Sequence, residues 1–354
     1  MRKDTIPVMV ISFVVIIIFC DKSPENKLHY QKSVTIKRNL IIYTPHHKEL
    51  VNPMITEFEN RTGITVEVRI DSTKKLLEKI VTDANCSQCD VYWGRAISMM
   101  APLNDCFEKF ISENEAYVME AFKNRDSTTT MFTNMPSVIL VNTNLLENTV
   151  VKGYQDLLNP VLTGKIAFAD PEASSSSYEH LVNILFAMGN GNHEKGWSYV
   201  RQFVKQLDGN VLTRSRDVYL GVAKGQYTVG LTFEEGAARM VSTGAPVKII
   251  YMKEGVIFRP DGIYIVKSAK NIENARKFVN FCTCREVQTL MASRLKRRSV
   301  RKDVFPAKGL TSYDKINIIH DDQYCAFYKK FEWVSRFNKE LQSHASLVKS
   351  VAIH

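Results

Sequence analysis

The chain has 354 residues, of which 45% are hydrophobic and 24% are charged, a composition that excludes a disordered, collagen-like or low-complexity protein. At about 150 residues per domain the length predicts two domains, and the lack of a second long apolar run excludes a multi-pass membrane protein. Lysine and arginine number 47 against 37 aspartates and glutamates, and the net charge of +10 favours anionic partners such as nucleic acid, anionic lipid or a phosphorylated or carboxylated small molecule.

The N-terminus predicts export. Two basic residues precede an apolar stretch that runs to Phe19, as long as the hydrophobic region of a signal peptide and short for a spanning helix. Cys20 follows, at the position where a bacterial lipoprotein signal is cleaved and acylated. We therefore predict a signal peptide over 1–20, lipidation of Cys20 and a polar tether over 21–38. Phe19 stands where a small residue is usual, so the alternative is an uncleaved membrane anchor.

Strands and helices alternate after the tether. Apolar strand runs are followed by helices with one apolar face, and N-cap groups or a glycine mark the helix ends. The predicted elements are a strand at 40–43, a helix opened by Pro45 and closed by Gly63, a strand at 64–70, a helix after Asp71, and a strand at 90–94. This order predicts a parallel sheet with helices on both faces, which binds ligands at the carboxyl ends of its strands.

The same pattern restarts later in the chain and predicts a second sheet. Its elements are a strand at 165–169, a helix after four serines, a strand at 211–212 with a helix after it, and a strand at 227–232. Two further strand runs, 137–142 and 262–266, lie where hinge strands would cross between the halves. The predicted fold class is α/β, with two doubly wound α/β lobes joined by crossing hinge strands.

Hydroxyl residues recur at the strand-to-helix junctions. Helix N-termini offer unpaired N–H groups and a partial positive charge, so several such ends that converge on one cleft would bind an anion. Each hydroxyl is equally an ordinary N-cap, and the hypothesis rests on their repetition. Lys48, Arg95 and Arg214 lie beside the junctions and offer cationic partners. The hydroxyl residues are Ser72, Thr73, Ser174, Ser175, Ser176, Ser177, Thr213 and Ser215.

Motifs of common enzyme classes are absent from the sequence: it has no G-x-S-x-G, H-E-x-x-H, Walker or G-x-G-x-x-G motif. The adjacent Glu234 and Glu235 suit acid–base or metal chemistry, but no nucleophile accompanies them, so we predict that the protein is not an enzyme. The basic run from Lys296 to Lys302 is expected to be a solvated surface, with nucleic acid or anionic lipid as the alternative. The Cys86/Cys89 and Cys282/Cys284 spacings leave free thiols and local disulfides both open.

From about Asn39 to Phe337 the chain resembles the solute-binding proteins of bacterial ABC importers, specifically their ferric-iron-binding group and, within it, the Bit-type periplasmic iron-binding lipoproteins. The segments that carry the resemblance are LIIYTPHHKE at 40–49, FENRTGITV at 58–66, DVYWG at 90–94 and GQYTVGLT at 225–232. It implies the periplasmic-binding-protein fold, with a ligand cleft between two lobes, hinge closure, and delivery to a permease driven by an ATPase. The lobe ranges are 39–137 plus 268–300 and 138–267, followed by a C-terminal helical segment at 301–354.

The resemblance also bears on the ligand. His47 matches a histidine ligand of the iron binders, whereas Arg95 stands where they have an acidic ligand, and Phe233, Glu234 and Glu235 stand where tandem tyrosines are expected. Ferric iron is therefore predicted as the transported ligand, held by His47 and Glu235, and no cofactor is predicted. A phosphorylated sugar or other small organophosphate is the alternative, because the serines at 174–177 occupy the place of the family's synergistic anion.

The predicted ligand-binding residues combine both possibilities. They are Thr44, His46, His47, Ser72, Thr73, Trp93, Arg95, Ser174, Ser175, Ser176, Ser177, Arg214, Ser215, Glu234 and Glu235. We expect a periplasmic, lipid-anchored monomer that binds no nucleic acid and whose partners are an ABC permease with its ATPase and a small ligand. An exported hydrolase that uses Glu234 and Glu235 and a basic surface adhesin are the alternatives of other classes.

Overall fold

A computed structural model describes residues 39–82, 88–95 and 101–351. Only the backbone is described for residues 95, 101–102 and 345–351. The predicted signal peptide, the lipidated Cys20 and the tether at 21–38 lie outside the described residues, as does Cys86. Within the described part of the chain, no helix combines the length and the apolar character that a membrane span needs.

The elements run in chain order as follows: β1 Leu40–Thr44, α1 Lys48–Thr62, β2 Val66–Ile70, α2 Thr73–Thr82, β3 Val91–Arg95, β4 Thr130–Asn134, β5 Ser137–Asn142, β6 Ile166–Ala169, α3 Ser175–Met188, α4 His193–Leu207, β7 Val211–Leu212, α5 Ser215–Ala223, β8 Val229–Phe233, α6 Glu234–Ser242, β9 Val247–Ile250, β10 Val256–Ile257, β11 Pro260–Ile265, α7 Ile272–Thr283, α8 Arg285–Leu295, β12 Arg298–Ser299, β13 Ile318–Ile319, α9 Gln323–Tyr328 and α10 Lys330–Val351. The predicted alternation of strands and helices is present. The first helix begins at Lys48 instead of Pro45, and it ends at Gly63 in the left-handed conformation, with φ of 69°.

Two sheets divide the chain into two lobes. The first lobe is built on a six-stranded sheet with the order β12-β4-β11-β3-β1-β2, in which β1 is parallel to both β2 and β3. The second lobe is built on a five-stranded sheet with the order β7-β6-β8-β5-β9, in which β6 is parallel to both β7 and β8. Helices cover both sheets, as the predicted α/β class requires.

The crossings between the lobes differ from the predicted ones. Strand β5 lies entirely in the second sheet, and β11 lies in the first sheet, antiparallel to β3 and β4. The chain changes lobe in the short connections at 135–136 and 258–259, which are joined by a hydrogen bond of 3.2 Å from the Met135 N–H to the Arg259 carbonyl. The predicted second-lobe range 138–267 must therefore be corrected, because it includes a strand of the first lobe. Both strand runs looked alike in sequence, since a buried strand is apolar whichever sheet it joins.

The C-terminal helices pack on the second lobe. Trp333, Val334 and Phe337 of α10 are buried in the same apolar cluster as residues of β6, α3 and α4. The chain reaches this position through β13, which pairs in parallel with β10. The segment predicted as a separate helical stretch at 301–354 thus contributes its middle part to the second-lobe core.

His180 is a buried neutral histidine beneath the second sheet. Its Nε2 lies 2.8 Å from the Thr232 carbonyl and 3.1 Å from the Val138 carbonyl, so Nε2 carries the proton, while Nδ1 faces the Tyr154 hydroxyl at 3.1 Å. Burial lowers the pKa of His180 to about 4. The imidazole therefore stays neutral in the folded protein at pH values where an unfolded chain takes up a proton.

Acidification is expected to destabilise the protein through His180. Between pH 6.5 and pH 4 the unfolded state binds a proton that the native state does not, so the free energy of unfolding should fall by about 3 kcal/mol over this range. Urea unfolding at pH 7 and pH 4.5 measures the fall. In the His180→Gln variant the same pH change should cost about 2–3 kcal/mol less, and equal pH dependences in both proteins would contradict this assignment.

Candidate functional site

Three serine hydroxyls meet at the carboxyl edge of the second sheet. β6 and β7 are parallel neighbours, and the Asp170 N–H donates to the Leu212 carbonyl (2.7 Å), so the loops that follow the two strands lie side by side. The Ser174 hydroxyl lies 2.6 Å from that of Ser215, and the Ser176 hydroxyl donates to Ser215 at 2.8 Å. We call Ser174, Ser176 and Ser215 the serine cluster. Of the junction hydroxyls, the structure brings those of Ser174, Ser176 and Ser215 together.

Two helices begin at the serine cluster. α3 starts at Ser175 behind its N-cap Ser174, whose hydroxyl accepts from the Ser177 N–H at 3.3 Å, and α5 starts at Ser215. Helix N-termini present N–H groups without intrahelical partners and carry a partial positive charge. The Ser177 side chain is fully buried, and its hydroxyl has no hydrogen-bond partner. Ser175, at the first helical position, is exposed.

Other residues that were predicted to bind the ligand lie in the first lobe. Thr44 ends β1 and is buried, and its hydroxyl accepts from the His46 N–H at 3.1 Å. His46 is largely buried with its ring against Trp93, whereas His47 is exposed as the residue that precedes α1. Ser72 and Thr73 begin α2, where Ser72 is exposed and Thr73 is half-buried.

Trp93 belongs to the core of the first lobe. It is fully buried, with ring contacts to His46, Phe132 and Phe278 at centroid distances of 5.2, 5.4 and 5.9 Å. Trp93, which was predicted to bind ligand, thus lies on β3 in the interior of the sheet, where its ring is packed among core side chains. Aromatic residues in such strands pack as core side chains.

The predicted arginines occupy different surroundings. The Arg214 guanidinium is mostly exposed and forms two hydrogen bonds with Asp217, at 2.9 and 3.0 Å, which pair the two side chains on the first turn of α5. Asp217 raises the pKa of Arg214, so the guanidinium is a permanent cation. In the sequence Arg214 directly precedes Ser215 of the serine cluster. Arg95 ends β3, and its side chain lies outside the described part of the protein.

Glu234 and Glu235 are buried in ion pairs. Arg298 donates to Glu234 through Nε and Nη2, with distances of 2.8 and 2.6 Å, and Arg297 donates from Nε to Glu235 at 2.9 Å. Arg297 also pairs with Asp261, and Arg239 also pairs with Glu235. Burial alone would lower the pKa of Arg298, but the Glu234 carboxylate raises it. The carboxylates predicted to bind ligand thus have guanidinium partners of their own.

The basic run at 296–302 is largely buried. Arg297, Arg298 and Arg301 are 8%, 1% and 3% exposed, so the expected solvated surface is wrong for these three residues. The sequence offered one hint of this ion pairing: two adjacent acids at 234–235 and two adjacent arginines at 297–298 carry equal and opposite charge. Their meeting depends on contacts between residues about sixty positions apart, which periodicity does not reveal.

The described side chains assemble no metal site: no group of three or more His, Cys, Asp or Glu among them is placed to hold an ion. Glu235, one of the two predicted metal ligands, faces Arg297 and Arg239, and the other, His47, is exposed. Cys106, Cys282, Cys284 and Cys325 are free thiols. Cys282 and Cys284 therefore do not form the local disulfide that their spacing left open.

The two lobes, the connections between them and a polar edge at the strand ends define a two-lobed solute-binding protein. A model of the family described as bacterial extracellular solute-binding proteins matches residues 40–293, and the chain belongs to this family. Members of this family are solute-binding proteins of the ABC-importer type, which work outside the cytoplasm with a permease and a small ligand and are binding proteins rather than enzymes.

Two curated proteins resemble the chain over most of its length. An uncharacterised protein of Haemophilus influenzae is 23% identical over 307 residues, which cover 82% of this chain and 86% of that protein. Iron uptake protein A1 of Synechocystis is 24% identical over 290 residues, which cover 77% and 78% of the two chains.

Solved structures show the same fold. A protein described as a two-component system protein that mediates signal transduction is 30% identical, with a TM-score of 0.66, and the match covers 80% of this chain and 95% of that one. The binding protein AfuA of Actinobacillus pleuropneumoniae, with fructose-6-phosphate bound, is 22% identical with a TM-score of 0.70 and covers 86% and 99%. Apo ferric ion-binding protein A of Pasteurella haemolytica is 18% identical with a TM-score of 0.71 and covers 86% and 98%. The predicted periplasmic-binding-protein fold is confirmed.

Proposed function

We propose that this chain is the binding protein of an ABC importer for a small phosphorylated solute, such as a sugar phosphate. The observation that carries the proposal is the serine cluster, where three hydroxyls and the N-termini of α3 and α5 converge. Hydroxyl and backbone N–H donors at a helix N-terminus suit a phosphate group, because they supply several hydrogen bonds and a favourable dipole without a fixed counter-charge. We further propose that the protein is exported and lipid-anchored through Cys20.

The charges around α6 favour an organophosphate over ferric iron. Hard trivalent cations need anionic oxygen ligands, yet Glu234 and Glu235 are both paired with buried arginines. Iron would have to displace these guanidinium groups and leave buried positive charges unpaired, which is strongly unfavourable. The Synechocystis relative is an iron uptake protein, and AfuA has fructose-6-phosphate bound. The two ligands are therefore tested directly against each other.

The test is native mass spectrometry with metal analysis on the protein purified from its own periplasm without chelators, in a form that begins after Cys20. We expect an organic phosphate that is released on denaturation and iron far below one equivalent per chain. Calorimetric titration of the stripped protein with fructose-6-phosphate and with ferric citrate then compares the two ligands, with micromolar or tighter binding expected for the phosphate, about −8 kcal/mol. Stoichiometric iron with no phosphate binding would refute the proposal.

A further inference from the structure

Two adjacent ion pairs join the lobes beside a hinge connection. Glu234 and Glu235 begin α6 in the second lobe, and Arg298 begins β12 at the edge of the first sheet, next to Arg297. The Glu234 N–H donates to the Pro136 carbonyl at 3.0 Å, at one end of the 135–136 connection. Arg298 is paired with Asn134 of β4, at the other end of the same connection.

Arg298 lies in a closed aromatic environment. Its guanidinium faces the rings of Tyr251, Phe258 and Tyr313, with the guanidinium carbon 5.5, 6.0 and 4.9 Å from the ring centroids. It also donates to the Thr311 carbonyl at 2.5 Å, and none of its side chain is exposed. Tyr251 follows β9 of the second lobe, and Phe258 lies in a connection between the lobes, so an arginine of the first lobe is enclosed mainly by the second lobe and the hinge.

Packing within the second lobe connects α6, which carries Glu234 and Glu235, with α5, which begins at the serine cluster. The ring of Phe233, just before α6, lies 5.9 Å from the ring of Tyr219 on α5 in an edge-to-face arrangement. Gly236 of α6 has no room for a side chain, since an added Cβ would lie 2.6 Å from the Tyr219 ring. α6 therefore packs closely on α5, the helix whose first residue is Ser215.

We propose that the Glu234–Arg298 and Glu235–Arg297 pairs form an interlobe clamp that sets the angle between the lobes, which makes the two arginines positioning residues for the ligand cleft. Both pairs connect α6 of the second lobe with first-lobe residues, Arg298 at the start of β12 and Arg297 directly before it. Both pairs are buried, so a change of lobe angle that separated them would expose unpaired charge to an apolar surrounding. The clamp favours the lobe angles at which the pairs persist. The inference about the lobe angle is drawn from these contacts alone. Only the expected change in affinity for a phosphorylated ligand rests on the proposed function.

The test measures the distance between the lobes. Spin labels are attached through a keto amino acid at Lys79 of α2 and Lys205 of α4, two exposed positions in different lobes that leave the native thiols untouched. The clamp variant is Glu234→Gln with Arg298→Gln, which removes both charges together. The matched control is Asp303→Asn with Arg301→Gln, because Arg301 is equally buried but its pair with Asp303 does not link the two lobes.

The clamp variant without ligand is expected to show a distance distribution about twice as broad as that of the native chain, whereas the control keeps the native width. Affinity for fructose-6-phosphate should fall about tenfold in the clamp variant alone, since a less preorganised cleft must be ordered on binding. An unchanged width in the folded clamp variant overturns the proposal. If circular dichroism shows that the double variant does not fold, Arg298→Lys, which keeps the charge but loses the bidentate geometry, decides the question by the same criterion. A native chain that binds no phosphate refutes the proposed ligand and leaves the width comparison valid.

Discussion

Replacement of Ser215 by aspartate is expected to weaken phosphate binding roughly a thousandfold. The Ser215 hydroxyl contacts both Ser174 and Ser176, so a carboxylate there would lie within the serine cluster. Two like charges about 4 Å apart repel by about 4 kcal/mol at an effective dielectric constant near 20, which corresponds to roughly a thousandfold in affinity. The same carboxylate would suit the N-terminus of α5 electrostatically, so the variant should fold. Calorimetric titration with fructose-6-phosphate measures the loss.

The matched control is Ser198→Asp. Ser198 is an exposed residue of α4, and the same charge is added there to the same lobe but away from the loops that follow β6 and β7. Its affinity should stay within about twofold of the native value, because an exposed and distant charge is screened by salt. If the two variants lose affinity equally, or if Ser215→Asp binds as the native chain does, the serine cluster is not the phosphate site.

The serine cluster could be predicted because its determinants are local. Ser174 and Ser215 each follow a short apolar strand and precede a helix, and parallel neighbouring strands bring such junctions to one edge of a sheet. The sequence does not state which strands are neighbours. That β6 adjoins β7 is shown only by the pairing of the two strands in the structure.

The partners of Glu234 and Glu235 could not be predicted in the same way. A buried arginine and an exposed one have the same local sequence pattern, and Arg297 and Arg298 follow directly after the exposed C-terminal end of α8. What buries them is the second lobe, which returns to the first through connections far away in the chain. Strand assignment fails for a related reason. β5 and β11 are both buried and apolar, and only the pairing of β11 with β3 and β4 shows that it belongs to the first lobe.

The serine cluster and the buried ion pairs of Glu234 and Glu235 both bear on which ligand the protein binds. The cleft edge that the sequence predicted, with serines at helix N-termini, suits an anion, while the carboxylates that looked available for a cation are occupied by the interlobe arginines.

Removal of the Trp333 side chain is expected to destabilise the protein by about 3–5 kcal/mol, the usual cost of truncating a large buried aromatic residue to alanine. Trp333 is fully buried, with 0% of its surface exposed to solvent. Its ring centroid lies 5.1 Å from that of His193 of α4 and 6.4 Å from that of Phe186 of α3. Its loss would leave a cavity between α10 and the second-lobe helices. Urea unfolding of Trp333→Ala and the native chain measures the difference in the free energy of unfolding.

Phe331→Ala provides the matched control on the same helix. Phe331 lies two residues away and is 87% exposed, so its truncation should change the free energy of unfolding by no more than about 0.5 kcal/mol. A large difference between the two variants would establish that α10 is part of the folding unit of the second lobe, because only the residue that faces α3 and α4 would matter. Equal and small effects would instead mean that the C-terminal helix contributes little to the stability of that lobe, and that the core formed by β6, α3 and α4 is sufficient without it.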